Sequence, residues 1–196
     1  MRKGNPMSKG PPPIRERPSG PPRPPGNYLV TAESQVVASL PYEGSANGIG
    51  EVFEHLLTWA NIYHTEAWGP LVGVYMDGTG GEDRPLVAEA WLPIPPDMLE
   101  MTHGDARVQV KRITPVRVAA TVHRGFPDEL GEALRNLLEW ALSRELTRVT
   151  DDHRQVYRQA PPGHPDAWEV ELQVPVRETE SAAHAPRRPH VEQAGE

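Results

Sequence analysis

Apolar and polar positions along this chain follow two rhythms, and the pair of rhythms comes round twice in the same order. A β-rich run over Gln35–Tyr42 ends at a glycine turn, and behind it Val52, Phe53, Leu56, Leu57 and Ala60 fall at helical spacing. That stripe predicts a helix over about Ile49–Tyr63. Further on, Val108–His123 is again β-rich, and Leu130, Leu134, Leu137, Leu138 and Ala141 predict a helix over about Asp128–Glu145. Asn47 and Pro127-Asp128 are the expected helix starts, because a short polar side chain caps free N–H groups. Two strands close each unit: Leu71–Met76 with Pro85–Pro93, then Gln155–Gln159 with Trp168–Val174. Glycine- or proline-rich turns join them, Asp77–Arg84 in the first unit and Ala160–Asp166 in the second.

The two units are also related in residue identity. Set without a gap, VASLPYEGSANGIGEVFEHLLTWA from Val37 and VAATVHRGFPDELGEALRNLLEWA from Val118 agree at nine of 24 positions, at an offset of 81. With one inserted residue the offset becomes 82, and Val74-Tyr75 falls on Val156-Tyr157. Glu89-Ala-Trp-Leu-Pro-Ile94 then falls on Glu171-Leu-Gln-Val-Pro-Val176. The pattern is β-α-β-β, twice. One copy has too little core to stand alone. Two copies side by side predict an α+β domain with pseudo-two-fold symmetry, an antiparallel sheet and two main helices. Repeat one covers about 27–98 and repeat two about 106–176, so the domain is 27–176. A groove where the halves meet is the expected ligand site.

Composition sharpens the edges of this picture. Of 196 residues 37% are hydrophobic and 23 are proline, many of the prolines lying near the ends. Residues 1–26 form a proline-rich basic tail with almost nothing to bury, and 177–196 form a polar one; both are expected to be disordered. A net charge of −7 argues against a general nucleic-acid binder, so no direct DNA binding is expected. Zero cysteines exclude a disulfide scaffold and thiolate chemistry. No run approaches the ~20 apolar residues of a bilayer span, and no apolar signal segment leads the chain, so a cytoplasmic protein is expected.

Candidate chemistry lies on the closing strands. Alternation puts Val170, Leu172 and Val174 on one face and Glu169, Glu171 and Gln173 on the other. For Glu169 and Gln173 a solvated surface is the plainer expectation. In the first copy, however, Val87, Glu89 and Trp91 share the equivalent face, which is more apolar than an ordinary wet surface. Glu171 and Glu89 are therefore candidate ligand-binding residues, with Tyr157, Tyr75, Trp91, Tyr42 and Trp168 as aromatic lining. Tyr63 and Trp68 are further aromatics for the groove, whereas Trp59 and Trp140 are expected to pack into the core. Tyr75 and Tyr157 precede the linkers to the closing strands, and are expected near Glu89 and Glu171. A carboxylate among aromatics favours a small aromatic or cationic molecule. The eight histidines show no metal-ligand spacing, and no P-loop, Rossmann or nucleophile-elbow motif is present. No metal or cofactor is expected. Were the protein an enzyme, Glu171 and Tyr157 would be its acid–base pair.

The tandem units, the Val156-Tyr157 pair and the closing Glu171-Leu-Gln-Val-Pro-Val176 strand resemble the GyrI-like small-molecule-binding domains, also called the AraC-type effector-binding or SHS2 tandem fold. The resemblance covers about Gln35–Val176. It implies that Glu171 lies in the ligand groove and meets cationic aromatic drugs, with Glu89 as its repeat-mate. Members of this family include effector-sensing ends of transcription regulators, drug-sequestering proteins, a gyrase inhibitor and hydrolases of strained natural products. A proline-rich tail stands where the regulators carry a DNA-binding helical motif, so the expectation is a stand-alone binding protein. The alternatives are a hydrolase and an interaction protein acting on a transcription factor or gyrase.

Overall fold

The computed structural model describes residues 23–45, 48–77, 79, 84–100, 105–160 and 164–179. The bulk of both expected tails, Asn47, and residues 78, 80–83 and 161–163 of the two glycine- or proline-rich turns lie outside the described residues. Among the described residues nine strands and two α-helices follow in chain order: β1 Tyr28–Ala32, β2 Gln35–Gly44, α1 Ile49–Ile62, β3 Val72–Met76, β4 Leu86–Ile94, β5 Gln109–Ile113, β6 Val116–Arg124, α2 Leu130–Ser143, β7 Leu146–Arg148, β8 Asp152–Gln159 and β9 Glu169–Glu178. The fold is α+β, a curled antiparallel sheet with two helices.

The strands run β1-β6-β9-β8-β3-β4-β2-β5, with β7 beside the end of β9. This order is its own mirror image under the repeat: β1 matches β5, β6 matches β2, β9 matches β4 and β8 matches β3. The pseudo-two-fold axis passes between β3 and β8, where Gly73 faces Gln155, its own repeat-mate at the offset of 82. Two details differ from the sequence expectation. The run Val108–His123 breaks at Thr114-Pro115, since Pro cannot donate to a ladder; β5 then pairs with β2 and β6 with β9. A leading strand also precedes the first unit, and β1 pairs across the molecule with β6. Each half's first strand thus forms the outer edge of the other half.

Helix α1 packs on β2 and β4, and α2 on β6, β7 and β9, all on one face of the sheet. Val36, Ala38, Leu40, Ala90, Leu92 and Ile94 meet Val52, Leu56, Trp59 and Ala60 beneath α1. Ala119, Val170, Leu172, Val174 and Val176 meet Leu130, Leu137 and Ala141 beneath α2. Each fully buried Val, Leu or Ile among them contributes roughly 1.5–3 kcal/mol. Gly48 stands at the N-cap of α1, and α2 begins after a 3-10 turn over Pro127–Glu129.

The prolines of the closing strands mark where pairing changes hands. Pro93 pairs with Val37 and Pro175 with Val118, each on one side only. On the other side their carbonyls accept from the chain beyond the preceding helix, Pro93 from Trp68 N–H at 2.8 Å and Pro175 from Val149 N–H at 3.0 Å. A residue's N–H and C=O leave an extended chain on the same side, so the missing proline N–H costs no ladder bond.

Candidate functional site

Register decides which of the expected residues can meet. Tyr75 lies opposite Ala88 and Tyr157 opposite Val170, on the face that carries the helices. Glu89 lies opposite Val74 and Glu171 opposite Val156, so both glutamates point to the helix-free face. The expected tyrosine–glutamate proximity is therefore corrected: the side chains alternate across the sheet, and one-residue steps put them on opposite sides. Tyr42 and Trp168 go with the tyrosines, Trp91 with the glutamates. The expected single groove divides into two groups.

On the helix face the repeat-mates Tyr75 and Tyr157 meet at the pseudo-axis, hydroxyl to hydroxyl at 2.5 Å. Tyr157 also packs edge-on against Phe53 of α1 and against Trp168. A polar chain leads away: Tyr157 donates to Gln155 at 3.0 Å, the Gln155 amide meets His153 at 3.3 Å, and His153 meets Asp77 at 2.7 Å. Arg148 closes the chain on the other Asp77 oxygen at 2.5 Å. Burial pushes the pKa of both tyrosines up, so both hydroxyls are neutral. Gly73 makes the pair sterically feasible, because a Cβ there would stand 2.4 Å from the Tyr75 ring. Tyr42 is tied down locally, donating to the Ser45 carbonyl at 2.6 Å.

The helix-free face carries the charges. Glu171 is fully buried, and its carboxylate accepts from Gln173 Nε2 at 2.8 Å and from Arg158 Nε at 2.8 Å. The second Arg158 nitrogen, NH2, points at the same oxygen. Arg23, from the segment before β1, brings its Nε to 3.3 Å of that carboxylate while its guanidinium lies over the Tyr28 ring at 5.9 Å. Tyr28 is itself buried, and its pKa is pushed up to about 12, by burial first and then by the negative charge of Glu171. In the first half Glu89 accepts from Trp91 Nε1 at 2.8 Å and from Lys111 Nζ at 2.5 Å. Trp91 and Gln173 are repeat-mates, so in both copies the residue two positions on donates to the carboxylate.

Gln173 is buried, not solvated as expected, because its amide serves Glu171; Glu169 is half-buried and pairs with Arg124. Sequence reasoning did not name Tyr28, Arg23, Lys111, Arg154 or Arg158 as neighbours of the glutamates. Only the strand-to-strand register brings them there. Two clefts, of about 390 and 350 Å³, lie elsewhere, beside the repeat-mates Trp140 and Trp59 at the outer ends of the helices. Tyr63 lines the second, and neither includes Glu89 or Glu171. Among the described residues no cluster of His, Asp and Glu is placed to hold a metal, and no helix is long and apolar enough to cross a membrane.

The model of the GyrI-like small-molecule-binding domain matches residues 28–177, from the start of β1 to near the end of β9. The chain belongs to the GyrI-like family. Among solved structures, the C-terminal domain of EcmrR superposes with a TM-score of 0.68 at 14% identity, over 79% of this chain and 98% of that one. A hydrolase from Listeria innocua superposes at 0.62 with 14% identity, over 77% of this chain and 91% of that one. At such identity these two likenesses speak for the GyrI-like fold. A comparison with curated protein sequences finds no match.

Proposed function

We propose that this GyrI-like domain is a non-enzymatic binding protein that takes a flat aromatic cation on the helix-free face at Glu171. One observation carries the reading: Arg23 already holds the pose such a ligand would take. Its planar cation lies over the Tyr28 ring and ion-pairs with the buried carboxylate, yet it comes from the segment before the first strand. A ligand of the same shape and charge gains the same two contacts by displacing it. Arg158 and Gln173 stay behind to hold Glu171 in place. Acid–base catalysis by Glu171 with Tyr157 finds no support, since the two side chains lie on opposite faces.

Fluorescence titration with proflavine, a flat aromatic cation, tests the reading. Arg23→Ala is expected to tighten binding several-fold, because the internal competitor is gone, and Glu171→Gln to weaken it at least tenfold. Unchanged affinity in both variants overturns the reading. Thermal unfolding of Glu171→Gln controls for loss of fold.

A further inference from the structure

Among the described residues, the half-buried cations of the helix-free face are paired with one exception. Lys111 has Glu89, and both Arg158 and Arg23 have Glu171. Arg154 has no carboxylate. On β8 it lies opposite Val74 and Gln173, at the middle of the sheet, with its guanidinium 5.0 Å from the centre of the Trp91 ring. Among the described residues nothing hydrogen-bonds or ion-pairs with it, and its Nε is out of contact with solvent without a partner. Asp152, next along the same face of β8, is the acid whose field it feels, but the two do not form an ion pair. Desolvation outweighs that field and holds the arginine below its ordinary pKa. A half-buried guanidinium without an anion leaves its desolvation uncompensated, and an incoming carboxylate, sulfonate or phosphate would compensate it.

Its position relative to Glu171 fixes the shape of the ligand. Arg154 faces Gln173, and Glu171 is two residues along the same strand, which makes Arg154 and Glu171 diagonal cross-strand neighbours. Such neighbours stand about 7–8 Å apart at the backbone, the span of a fused two-ring aromatic. The repeat-mate of Arg154 is Val72, so this cation has no mirror image in the other half.

We propose that the ligand carries an acidic group as well as a cationic one: Arg154 receives the acid while Glu171 takes the cation, which makes the ligand class an aromatic zwitterion. The acidic half stands on Arg154 alone; the cationic half rests on the function proposed above. Calorimetric titration with four naphthalenes separates the two: one bearing an aminomethyl group, one a carboxylate, one both, and the methyl ester of the last. In the wild-type chain, esterification is expected to weaken binding at least tenfold. In Arg154→Met, which keeps the stem over Trp91, acid and ester are expected to bind alike, and Arg154→Lys to recover part of the preference. Equal binding of acid and ester to the wild type overturns the proposal, as does an ester penalty that survives in Arg154→Met. Arg154-dependent binding of the carboxylate alone, with no gain from the amine, would uphold the anion site and remove the cation reading.

Discussion

The two halves of the molecule share a backbone plan but not a charge plan, and the difference falls on one face. Beneath the helices the copies agree: Leu56 and Leu137 are both fully buried repeat-mates at the centre of their cores. On the helix-free face Glu89 keeps a quarter of its side chain exposed beside Lys111 and Trp91. Glu171 is sealed among Arg158, Arg23 and Gln173, with Tyr28 against it. A close-packed helix–sheet interface tolerates little change in volume, so duplication left it alike. The helix-free face is not filled by a helix, and there the copies have diverged. Symmetry maintains the scaffold, while asymmetry shapes the charged face.

Removing each glutamate should widen that contrast. Glu171→Ala strands the guanidinium of Arg158, and a loss of about 3–5 kcal/mol is expected in denaturant melts. Glu89→Ala faces a Lys111 that is 36% exposed, and a loss of no more than about 1 kcal/mol is expected. Equal losses would break the comparison. Leu56→Ala and Leu137→Ala should each cost about 2–5 kcal/mol and shift one common unfolding transition. Two separate transitions would mean that the halves are independent. Gly73→Ala forces the Tyr75 ring off the pseudo-axis, and about 1–3 kcal/mol is expected, with little change at the charged face. Tyr28 supplies the smallest test. Its folded pKa of about 12 lies above the ordinary value near 10, so its share of stability is complete below pH 10 and is lost as pH rises through 12. Tyr28→Phe should flatten that alkaline decline when denaturant melts are compared across that pH range.

Much of this architecture was legible in the sequence because it rests on local periodicity. The helical stripes at Val52–Ala60 and Leu130–Ala141 and the alternation at Val170–Val174 each read correctly by themselves. Alternation along β9 likewise gave Glu171 a face of its own opposite Leu172. What failed was the relation between strands. Nothing in Val156-Tyr157 says which of the two residues faces Glu171, since pairing with β9 sets that. Nor does any local signal say that Tyr28–Ala32 lies beside β6, that Pro115 hands the chain from one half to the other, or that Arg154 has no anionic partner among the described residues. An unpaired charge is a property of an assembled neighbourhood, and no spacing rule reports it.

The leading strands, each lodged on the far half, also impose an order in time. On the ribosome Tyr28–Ala32 is made early but has to wait for Val116–Ala120, and the first half lacks its own border until Gln109–Ile113 emerges. Neither copy can finish before both exist, so folding is expected to be slow, late and all-or-none. A chain cut at the inter-repeat linker would yield pieces each holding a strand that fits the other. Two identical first pieces would trade those strands, and the expected product is a homodimer with the outline of the intact protein.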